Sequence, residues 1–540
     1  MRAYLPLLLF CLLLFGYSLV GGRPLTMHEA RLPETAREML ATGEFLVPHS
    51  GDRPWVERPP QPHWLVMAVT APVGGLRHVW QARLPNVLVG LLGVALVCAI
   101  AARLFDRATA VLAGFLQATT WEYLCYAWLA EDDIYLCAII YAALLVFARL
   151  EFPAGGGDDS PAAPGELTNG FLGRRPWAVA LLFLLLGLTN MAKGPLFGTV
   201  IALVPIAGCL LLDFRWAALR RYLWLPGWLL FLAVAAWWFV AAERLCPGSW
   251  KVWHYDLFGR LAEGYIGAPW HYYLTHFPGI MAPWFVFGFL GVAHVWQARR
   301  TSPQGRRRSA FVLSWALLTI ALLTVPQGKH HHYLLSVTGA WAILGAVGLQ
   351  MAGGKLAAWR PGLRRWLAPA LGAFLLIFAA ALCAVHSTLT VKSDRTAADT
   401  AFLRQVAAVA APGQTLAIDA KGSMDFFRAL FYLQGHRAEV ITGLPCILDA
   451  RRGWRGREIM VITRAGRADV LREYGETEEL LRSAGSRRAN GPGENFALFK
   501  VRLRDDLPQV PWPPVTPMQA MERAPMPWET APGDHAPNHK

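Results

Sequence analysis

Apolar runs long enough to cross a lipid bilayer recur through most of this 540-residue chain. A spanning helix needs about 20 apolar residues, because the hydrocarbon core of a bilayer is about 30 Å thick. Since 55% of the residues are hydrophobic and 16% are charged, the chain is too apolar for an ordinary soluble protein. The runs predict about eleven spans, near residues 4–20, 85–102, 108–126, 133–150, 177–191, 194–213, 222–241, 277–297, 310–325, 333–351 and 366–388.

Arginine and lysine residues are concentrated in alternate loops between these runs. Cytoplasmic loops of membrane proteins carry an excess of both residues, so this pattern places the N-terminus inside. The loops 21–84 and 242–276 and everything after residue 395 are then expected outside the cytoplasm. The net charge of +14 is explained by this topology and by contact with membrane lipids, and nucleic-acid binding is not expected.

The chain changes character near residue 390. Residues 1–390 are expected to form the membrane body. Residues 395–503 contain more charge and predict strands near 414–419, 438–441, 458–463 and 496–501 between helical segments. Residues 504–540 are rich in proline without periodicity and predict a disordered tail. The expected fold is therefore an all-α polytopic membrane protein with a small extracytoplasmic α/β C-terminal domain.

The loop after the first span contains residues that could carry out chemistry. His28, Glu29 and Arg31 follow the span directly, where ionisable groups can face a cavity at the bilayer edge. Further along, Glu57 and Arg58 precede two prolines, which hold the backbone extended. An adjacent acid and guanidinium at such a position could bind a phosphate or a metal. The alternatives are a solvated amphipathic helix and a surface turn.

Acidic and basic residues also mark the ends of later spans. Glu131, Asp132 and Asp133 begin the span at 133–150; helix capping explains one acid, but three exceed what a cap requires. We expect Asp133 to project into the same cavity as Glu29. The cations Lys193, Arg260 and Lys329 are candidates for phosphate binding, because a lysine ammonium is a point charge suited to phosphate.

The stretch HEARLPETAREMLATGEFLVPHSG…PWVERPPQPHW resembles the first external loop of polyprenyl-phosphate-sugar-dependent membrane glycosyltransferases with the C-type fold. This family includes the lipid A aminoarabinose transferases and, more distantly, the protein O-mannosyltransferases. The resemblance extends in order over residues 1–390. Its further matches are Asp133, the pair Lys193-Gly194, the pair Pro283-Trp284, Lys329 and Tyr333.

The resemblance implies an inverting glycosyltransferase of the bacterial inner membrane, with its active site on the extracytoplasmic face. Such an enzyme moves a sugar from a polyprenyl-phosphate carrier to a lipid, glycan or protein acceptor. It requires no cofactor, although a divalent metal at Glu57, Asp256 and His254 is an open alternative. The implied catalytic residues are Glu29, Asp133, His28 and Asp132, and the implied donor-phosphate ligands are Arg58, Lys193, Lys329, Arg31 and Arg260.

Two residues depart from the family pattern. Arg58 replaces a lysine and keeps its charge. His28 replaces the leading aspartate, which is the family's principal catalytic carboxylate. Either Glu29 or Asp133 takes over that role, or His28 itself is the base, since an unperturbed histidine has a pKa of about 6.5. Two other hypotheses stay open: a lipid or sugar transporter or flippase, and a non-catalytic homologue that only binds polyprenyl phosphate.

Overall fold

The computed structural model describes residues 4–50, 53–152, 176–213, 216–259, 268–392, 395–411, 413–420, 426–441, 443–484 and 495–508. Helices dominate as far as residue 392, and a five-stranded sheet follows. Arg260 and residues 509–540 of the predicted tail lie outside the described residues.

The first half of the membrane body contains twelve described helices. They are α1 Leu5–Val20, α2 Met27–Thr42, α3 Gln61–Thr70, α4 Val79–Leu104, α5 Arg107–Thr119, α6 Trp121–Trp128, α7 Asp133–Glu151, α8 Pro176–Lys193, α9 Phe197–Leu212, α10 Trp216–Tyr222, α11 Leu225–Leu245 and α12 Ser249–His254. A short hairpin in the first loop pairs β1 His49–Ser50 with β2 Arg53–Pro54.

The second half of the body continues the helical array. Its helices are α13 Tyr272–Ile280, α14 Phe285–Ala298, α15 Pro303–Leu313, α16 Thr319–Thr324, α17 Thr338–Trp359 and α18 Arg364–Lys392. A π-helical turn, Ser314–Leu318, joins α15 to α16, and a 3-10 helix, His331–Val337, leads into α17.

The predicted spans correspond to helices of several kinds. In the described part of the chain, seven helical segments are long and apolar enough to cross a membrane, and α13 with α14 forms an eighth bent by 108°. Helices α1 and α9 are apolar but shorter, with 16 residues each. The prediction of one span over 108–126 is wrong, because the chain breaks at Thr120 into α5 and α6.

The break at Thr120 has an identifiable cause and a consequence for the site. The backbone of Thr120 is extended, with φ −67° and ψ 123°, and its hydroxyl donates to the carbonyl oxygen of Leu116 at 2.7 Å. The next amide, that of Trp121, donates to the carbonyl oxygen of Ala282 at 3.1 Å. Helix α6 therefore starts in a new direction and brings Glu122 to the wall of a cavity.

Small residues allow the central helices to approach closely. Helix α7 packs against α4 and α8, while α17 lies against α5 and α14. At the α14–α17 crossing, a Cβ added to Gly291 would lie 1.9 Å from the carbonyl oxygen of Leu344. Glycine at such a crossing is typical of membrane helices, whose association depends on close van der Waals packing. Helix α18 lies at the periphery and exposes Leu376 and Ile377.

The C-terminal unit is a mixed sheet with the strand order β4-β3-β5-β7-β6. The strand β3 runs parallel to β4 and β5, whereas β7 pairs antiparallel with β5 and β6. The small sheet domain is confirmed, and the structure adds β6, which the sequence does not predict. The elements are α19 Arg395–Val409, β3 Thr415–Asp419, α20 Phe426–Tyr432, β4 Arg437–Ile441, β5 Glu458–Arg464, α21 Ala468–Tyr474, β6 Gly475–Arg482 and β7 Phe496–Leu503.

Helix α20 docks the sheet unit onto the first loop. The hydroxyl of Tyr432 accepts a hydrogen bond from the amide of Leu25 at 3.1 Å. The ring of Phe427 lies 5.4 Å from the ring of Trp55, measured between centroids. Since Trp55 also lines the cavity described below, the sheet unit supports one of its walls.

Candidate active site

Two connected hollows lie where the first loop meets the ends of α7, α8 and α16. The polar cavity has a volume of about 620 Å³ and the apolar groove a volume of about 310 Å³. The polar cavity is lined from α2, the 55–63 segment, α6, the 129–133 turn and the 330–333 segment. The apolar groove is lined mainly from α9, α16 and the turns beside them, including Leu196, Phe197, Val200, Ile201, Leu322 and Leu323.

Three residues line both hollows and define what we call the junction: Arg58, Lys193 and Tyr333. The junction therefore places two cations and a phenol between a polar chamber and an apolar channel. An amphiphile with an anionic group between a polar head and an apolar chain matches this order of surfaces.

Lys193 is held at the junction by the turn that follows α8. It is the last residue of that helix, and Gly194 continues the chain with φ 120°, a conformation that favours glycine. The ammonium forms a buried ion pair with the carboxylate of Asp133 at the start of α7. It also lies 5.4 Å from the centroid of the Tyr333 ring. This ion pair connects the start of α7 to the end of α8 where both helices border the cavity.

Arg58 reaches the junction from the first loop. Its Nη1 donates to the carbonyl oxygen of Lys193 at 3.0 Å, and its Nη2 lies 3.5 Å from Oε1 of Glu57. Glu57 in turn accepts a hydrogen bond from the indole of Trp55 at 3.3 Å. The two prolines after Arg58 lead directly into α3, so the guanidinium sits on a backbone segment with little freedom.

The other predicted phosphate ligands have different positions. Arg31 lines the polar cavity, and its buried Nε has no hydrogen-bond partner among the described residues. Lys329 lines neither hollow; its buried ammonium donates to the carbonyl oxygen of Ala268 at 3.2 Å. The structure therefore does not bring Lys329 together with Arg58 and Lys193 along the described hollows. Arg260 lies outside the described residues.

Glu29 does not line the cavity, contrary to the expectation that it faces the substrate. It is fully buried and ion-paired with Arg83 at 2.9 Å and with Arg23 at 2.8 Å. Burial alone would raise the pKa of Glu29, but these two charges and hydrogen bonds from Arg83 and Thr26 lower it to about 2. Glu29 also accepts from the amide of Ala130 at 3.4 Å, so it positions the acidic turn that follows, residues 131–133, rather than reaching into the cavity.

The acidic turn supplies three of the carboxylates that line the cavity, those of Glu131, Asp132 and Asp133. Asn86 donates to the carbonyl oxygen of Glu131 at 2.7 Å and fixes the turn. Burial, together with the charges of Glu29 and Asp132, raises the pKa of Glu131 to about 7, while Lys193 and Arg31 oppose the shift. Asp133 carries the ion pair with Lys193, which leaves Glu131 and Asp132 as the carboxylates of this turn that are available to a substrate.

His28 lines the polar cavity where the family pattern has its aspartate. Partial burial and the charge of Arg31 lower the pKa of His28 to about 4, against the opposing charge of Asp132. The ring is therefore neutral near pH 7 and is a weaker base than an unperturbed histidine.

The residues predicted to hold a divalent metal are dispersed. Glu57 lines the polar cavity, Asp256 lines the apolar groove, and His254 is exposed and lines neither. Within the described ranges, no three or more His, Cys, Asp or Glu side chains are placed to hold a metal ion. The predicted set therefore does not come together here.

Several cavity residues have no role in the sequence-based expectations. Glu122 on α6 is hydrogen-bonded to His331, with 2.6 Å between Oε1 and Nδ1. His63 on α3 is 2% exposed and lines the cavity, and burial lowers its pKa to about 4. No local pattern identifies Glu122 and His331, because they are separated by 209 positions in the chain.

Sequence comparisons find similarity to transferases that use lipid-phosphate-linked sugars. Residues 57–152 match the family described as dolichyl-phosphate-mannose-protein mannosyltransferase. An undecaprenyl phosphate-alpha-4-amino-4-deoxy-L-arabinose arabinosyl transferase of Pseudomonas fluorescens is 26% identical over 358 residues, which are 60% of this chain and 56% of that protein. The transferase of the same description from Pectobacterium carotovorum is 26% identical over 402 residues, 71% of this chain and 65% of that one. The chain thus spans less than two thirds of these relatives.

Solved structures share the architecture. ArnT from Cupriavidus metallidurans, bound to undecaprenyl phosphate, superposes with a TM-score of 0.72 at 18% identity, covering 92% of this chain and 97% of that one. The apo oligosaccharyltransferase of Archaeoglobus fulgidus superposes with a TM-score of 0.55 at 12% identity, covering 90% and 75%. The chain has the C-type glycosyltransferase fold of a multi-pass membrane protein, and the resemblance drawn from the first loop is confirmed.

Proposed function

We propose that this protein is an inverting glycosyltransferase that moves a sugar from a polyprenyl-phosphate carrier to an acceptor. The observation that carries the proposal is the junction, where Arg58, Lys193 and Tyr333 separate the polar cavity from the apolar groove. In this arrangement the prenyl chain occupies the groove, the phosphate lies at the junction, and the sugar projects into the cavity.

The junction also suits the chemistry of the leaving group. When the bond between the anomeric carbon and the phosphate oxygen breaks, negative charge grows on the polyprenyl phosphate. The guanidinium of Arg58 and the ammonium of Lys193 are already in place to stabilise that charge, so little reorganisation is needed. Charge-assisted hydrogen bonds to phosphate are about twice as strong as neutral ones.

The proposal includes a location and a topology. The relatives are bacterial, and we assign the protein to the bacterial inner membrane with the cavity on the extracytoplasmic side. Support for the orientation comes from the arginine-rich loops, which the positive-inside rule places in the cytoplasm. The acceptor is then a lipid, glycan or protein that is accessible from that side. The reaction is proposed to need no cofactor.

Transfer can be tested with full-length protein in nanodiscs. The donors are undecaprenyl-phosphate-linked aminoarabinose, which the relatives' names indicate, and undecaprenyl-phosphate hexoses, each radiolabelled in the sugar. The acceptor is a cell-envelope extract. We expect the label to leave the carrier and appear on an envelope component, and Arg58→Ala to lose this transfer.

Two other outcomes would overturn the proposal. A flippase would move labelled donor across a proteoliposome membrane without cleaving it. A non-catalytic homologue would bind undecaprenyl phosphate, yet leave every donor intact in the presence of the extract. Cysteine labelling at Ser50→Cys in a cysteine-free background tests the orientation, which is wrong if the label reacts from the cytoplasmic side.

A further inference from the structure

The wall of the polar cavity formed by α6 contains a carboxylate–imidazole couple. Oε1 of Glu122 lies 2.6 Å from Nδ1 of His331. The side chain of Glu122 is 6% exposed, whereas that of His331 is 52% exposed, and both residues line the cavity. The carboxylate is thus enclosed by protein while the ring it holds borders open space.

This contact determines which ring nitrogen can act as a base. An ionised carboxylate only accepts hydrogen bonds, so Nδ1 of the neutral ring carries the proton that it shares with Glu122. The lone pair is then on Nε2, for which the described structure contains no hydrogen-bond partner. Hydrolytic triads use the same arrangement: a carboxylate accepts the hydrogen bond from Nδ1–H, and Nε2 takes the proton from the nucleophile.

We propose that His331 is the general base that activates the acceptor, that Glu122 is its positioning residue, and that the acceptor group is a hydroxyl. This inference rests on the proposed glycosyl transfer and names the acceptor chemistry of the same cavity. It also supplies a base where the family aspartate is replaced by His28 and where Glu29 is withdrawn into an ion-pair cluster.

In the proposed step, the acceptor hydroxyl replaces the polyprenyl phosphate on the anomeric carbon. The acceptor hydroxyl gives its proton to Nε2 of His331 while its oxygen forms a bond to the anomeric carbon. The bond from that carbon to the phosphate oxygen breaks, and its electron pair remains on the polyprenyl phosphate at the junction. The imidazolium is stabilised by Glu122 and then releases its proton to solvent, to which the ring is accessible.

The charges of this wall favour a hydroxyl over a phosphate acceptor. Glu122, Glu131 and Asp132 all line it, and burial together with these three carboxylates raises the pKa of Tyr126 among them. A phosphate acceptor would meet like charges at this wall; the cations of the junction are assigned to the donor, and Arg31 is the further cation that lines the cavity. A phosphate is also ionised beforehand and needs no base, whereas a hydroxyl does.

The decisive experiment determines the linkage in the product of the native protein. The labelled envelope component from the transfer assay is treated with mild acid, which cleaves a glycosyl phosphate but leaves a glycoside of a hydroxyl intact. We expect the label to stay attached. Its release as free sugar would overturn the inference and leave the proposed transfer standing.

Variants then test the couple itself. We expect His331→Gln to lower kcat by about 10²–10⁴-fold, the usual effect of general base catalysis, while affinity for undecaprenyl phosphate stays within about twofold. Added imidazole is expected to restore part of the activity of His331→Ala but none of that of Arg58→Ala. Glu122→Gln should lower kcat with little change in KM, and Glu122→Asp should recover most of the loss.

His276→Gln is the matched control, because His276 is an exposed histidine outside the cavity; its kcat should equal that of the native protein. Near-native kcat in both His331→Gln and Glu122→Gln would overturn the assignment even with an acid-stable product. If the native protein binds undecaprenyl phosphate but transfers no sugar, the proposed function fails and this inference fails with it.

Discussion

Oε1 of Glu29 lies 2.9 Å from Nε of Arg83, and both side chains are buried. This ion pair joins the first external loop to the start of α4 across 54 positions of the chain. Because Glu29 also accepts from Thr26 and Ala130, it fixes the acidic turn relative to the loop. Its primary role is therefore structural, which leads to the first prediction.

Glu29→Gln should destabilise the protein by about 3–5 kcal/mol, the usual cost of leaving one member of a buried ion pair uncompensated. Thermal unfolding in detergent measures this. Because the pKa of Glu29 is lowered to about 2, its contribution is complete above about pH 4.5 and is lost as the pH falls towards 2. The difference from the native protein should therefore shrink on acidification. Glu44→Gln, an exposed glutamate, is the control; an equal effect there would contradict the prediction.

Arg58→Ala should weaken undecaprenyl phosphate binding roughly tenfold or more, since a hydrogen bond to a charged group contributes about 1.5–3 kcal/mol. Lys193 is best changed together with its partner, as Lys193→Met/Asp133→Asn, because this removes both charges and leaves no unpaired carboxylate. The double variant is expected to lose affinity to a similar extent. Lys251→Met, at an exposed lysine on α12, should bind like the native protein. Unchanged affinity in both site variants would mean that the phosphate does not bind at the junction.

The apolar groove predicts that affinity depends on prenyl chain length. Val200 and Leu322 line the groove but not the polar cavity. Leu322→Asn should therefore weaken binding of undecaprenyl phosphate roughly tenfold or more, since a buried apolar side chain contributes about 1.5–3 kcal/mol. The internal control is a prenyl phosphate too short to reach this residue, whose affinity should not change. A parallel loss for the long and the short lipid would mean that the chain lies elsewhere.

The contribution of Glu131 to folding stability should depend on pH with the opposite sign to that of Glu29. Its pKa in the folded protein is raised from 4.5 to about 7, so the fold favours the neutral carboxyl. The associated stability is complete below about pH 4.5 and is lost as the pH rises through 7. Glu131→Gln, which stays neutral, should unfold at a higher temperature than the native protein at pH 8 and at the same temperature at pH 4. A variant that is less stable than the native protein at pH 8 would argue against a raised pKa.

Part of the site could be predicted from the sequence. The first-loop motif identifies Arg58, and the spacing of the spans brings Lys193 and the 131–133 turn to the same end of the membrane body. Lys193 and this turn do line the same cavity, because the ends of spans on one side gather at one bilayer surface. The loop sequence also leads to the C-type fold.

The remaining features depend on packing that no local pattern encodes. Glu29 is buried in an ion pair rather than facing the cavity because Arg83, which lies just before a predicted span, binds its carboxylate. Lys329 donates instead to the carbonyl oxygen of Ala268, 61 positions away in the chain. The Glu122–His331 couple requires the break at Thr120, and a continuous apolar run hides such a break because its hydrophobicity is the same on both sides.

Because Phe427 contacts Trp55, the docking of the sheet unit is thermodynamically coupled to ligand binding in the cavity. Linkage is reciprocal: a ligand that orders Trp55 must tighten the docking of α20 by the same free energy with which that docking favours the ligand. Hydrogen exchange in α20 should then slow when a ligand fills the cavity. Exchanging the sheet for that of another protein should then change substrate affinity, although no residue of the sheet lines either hollow.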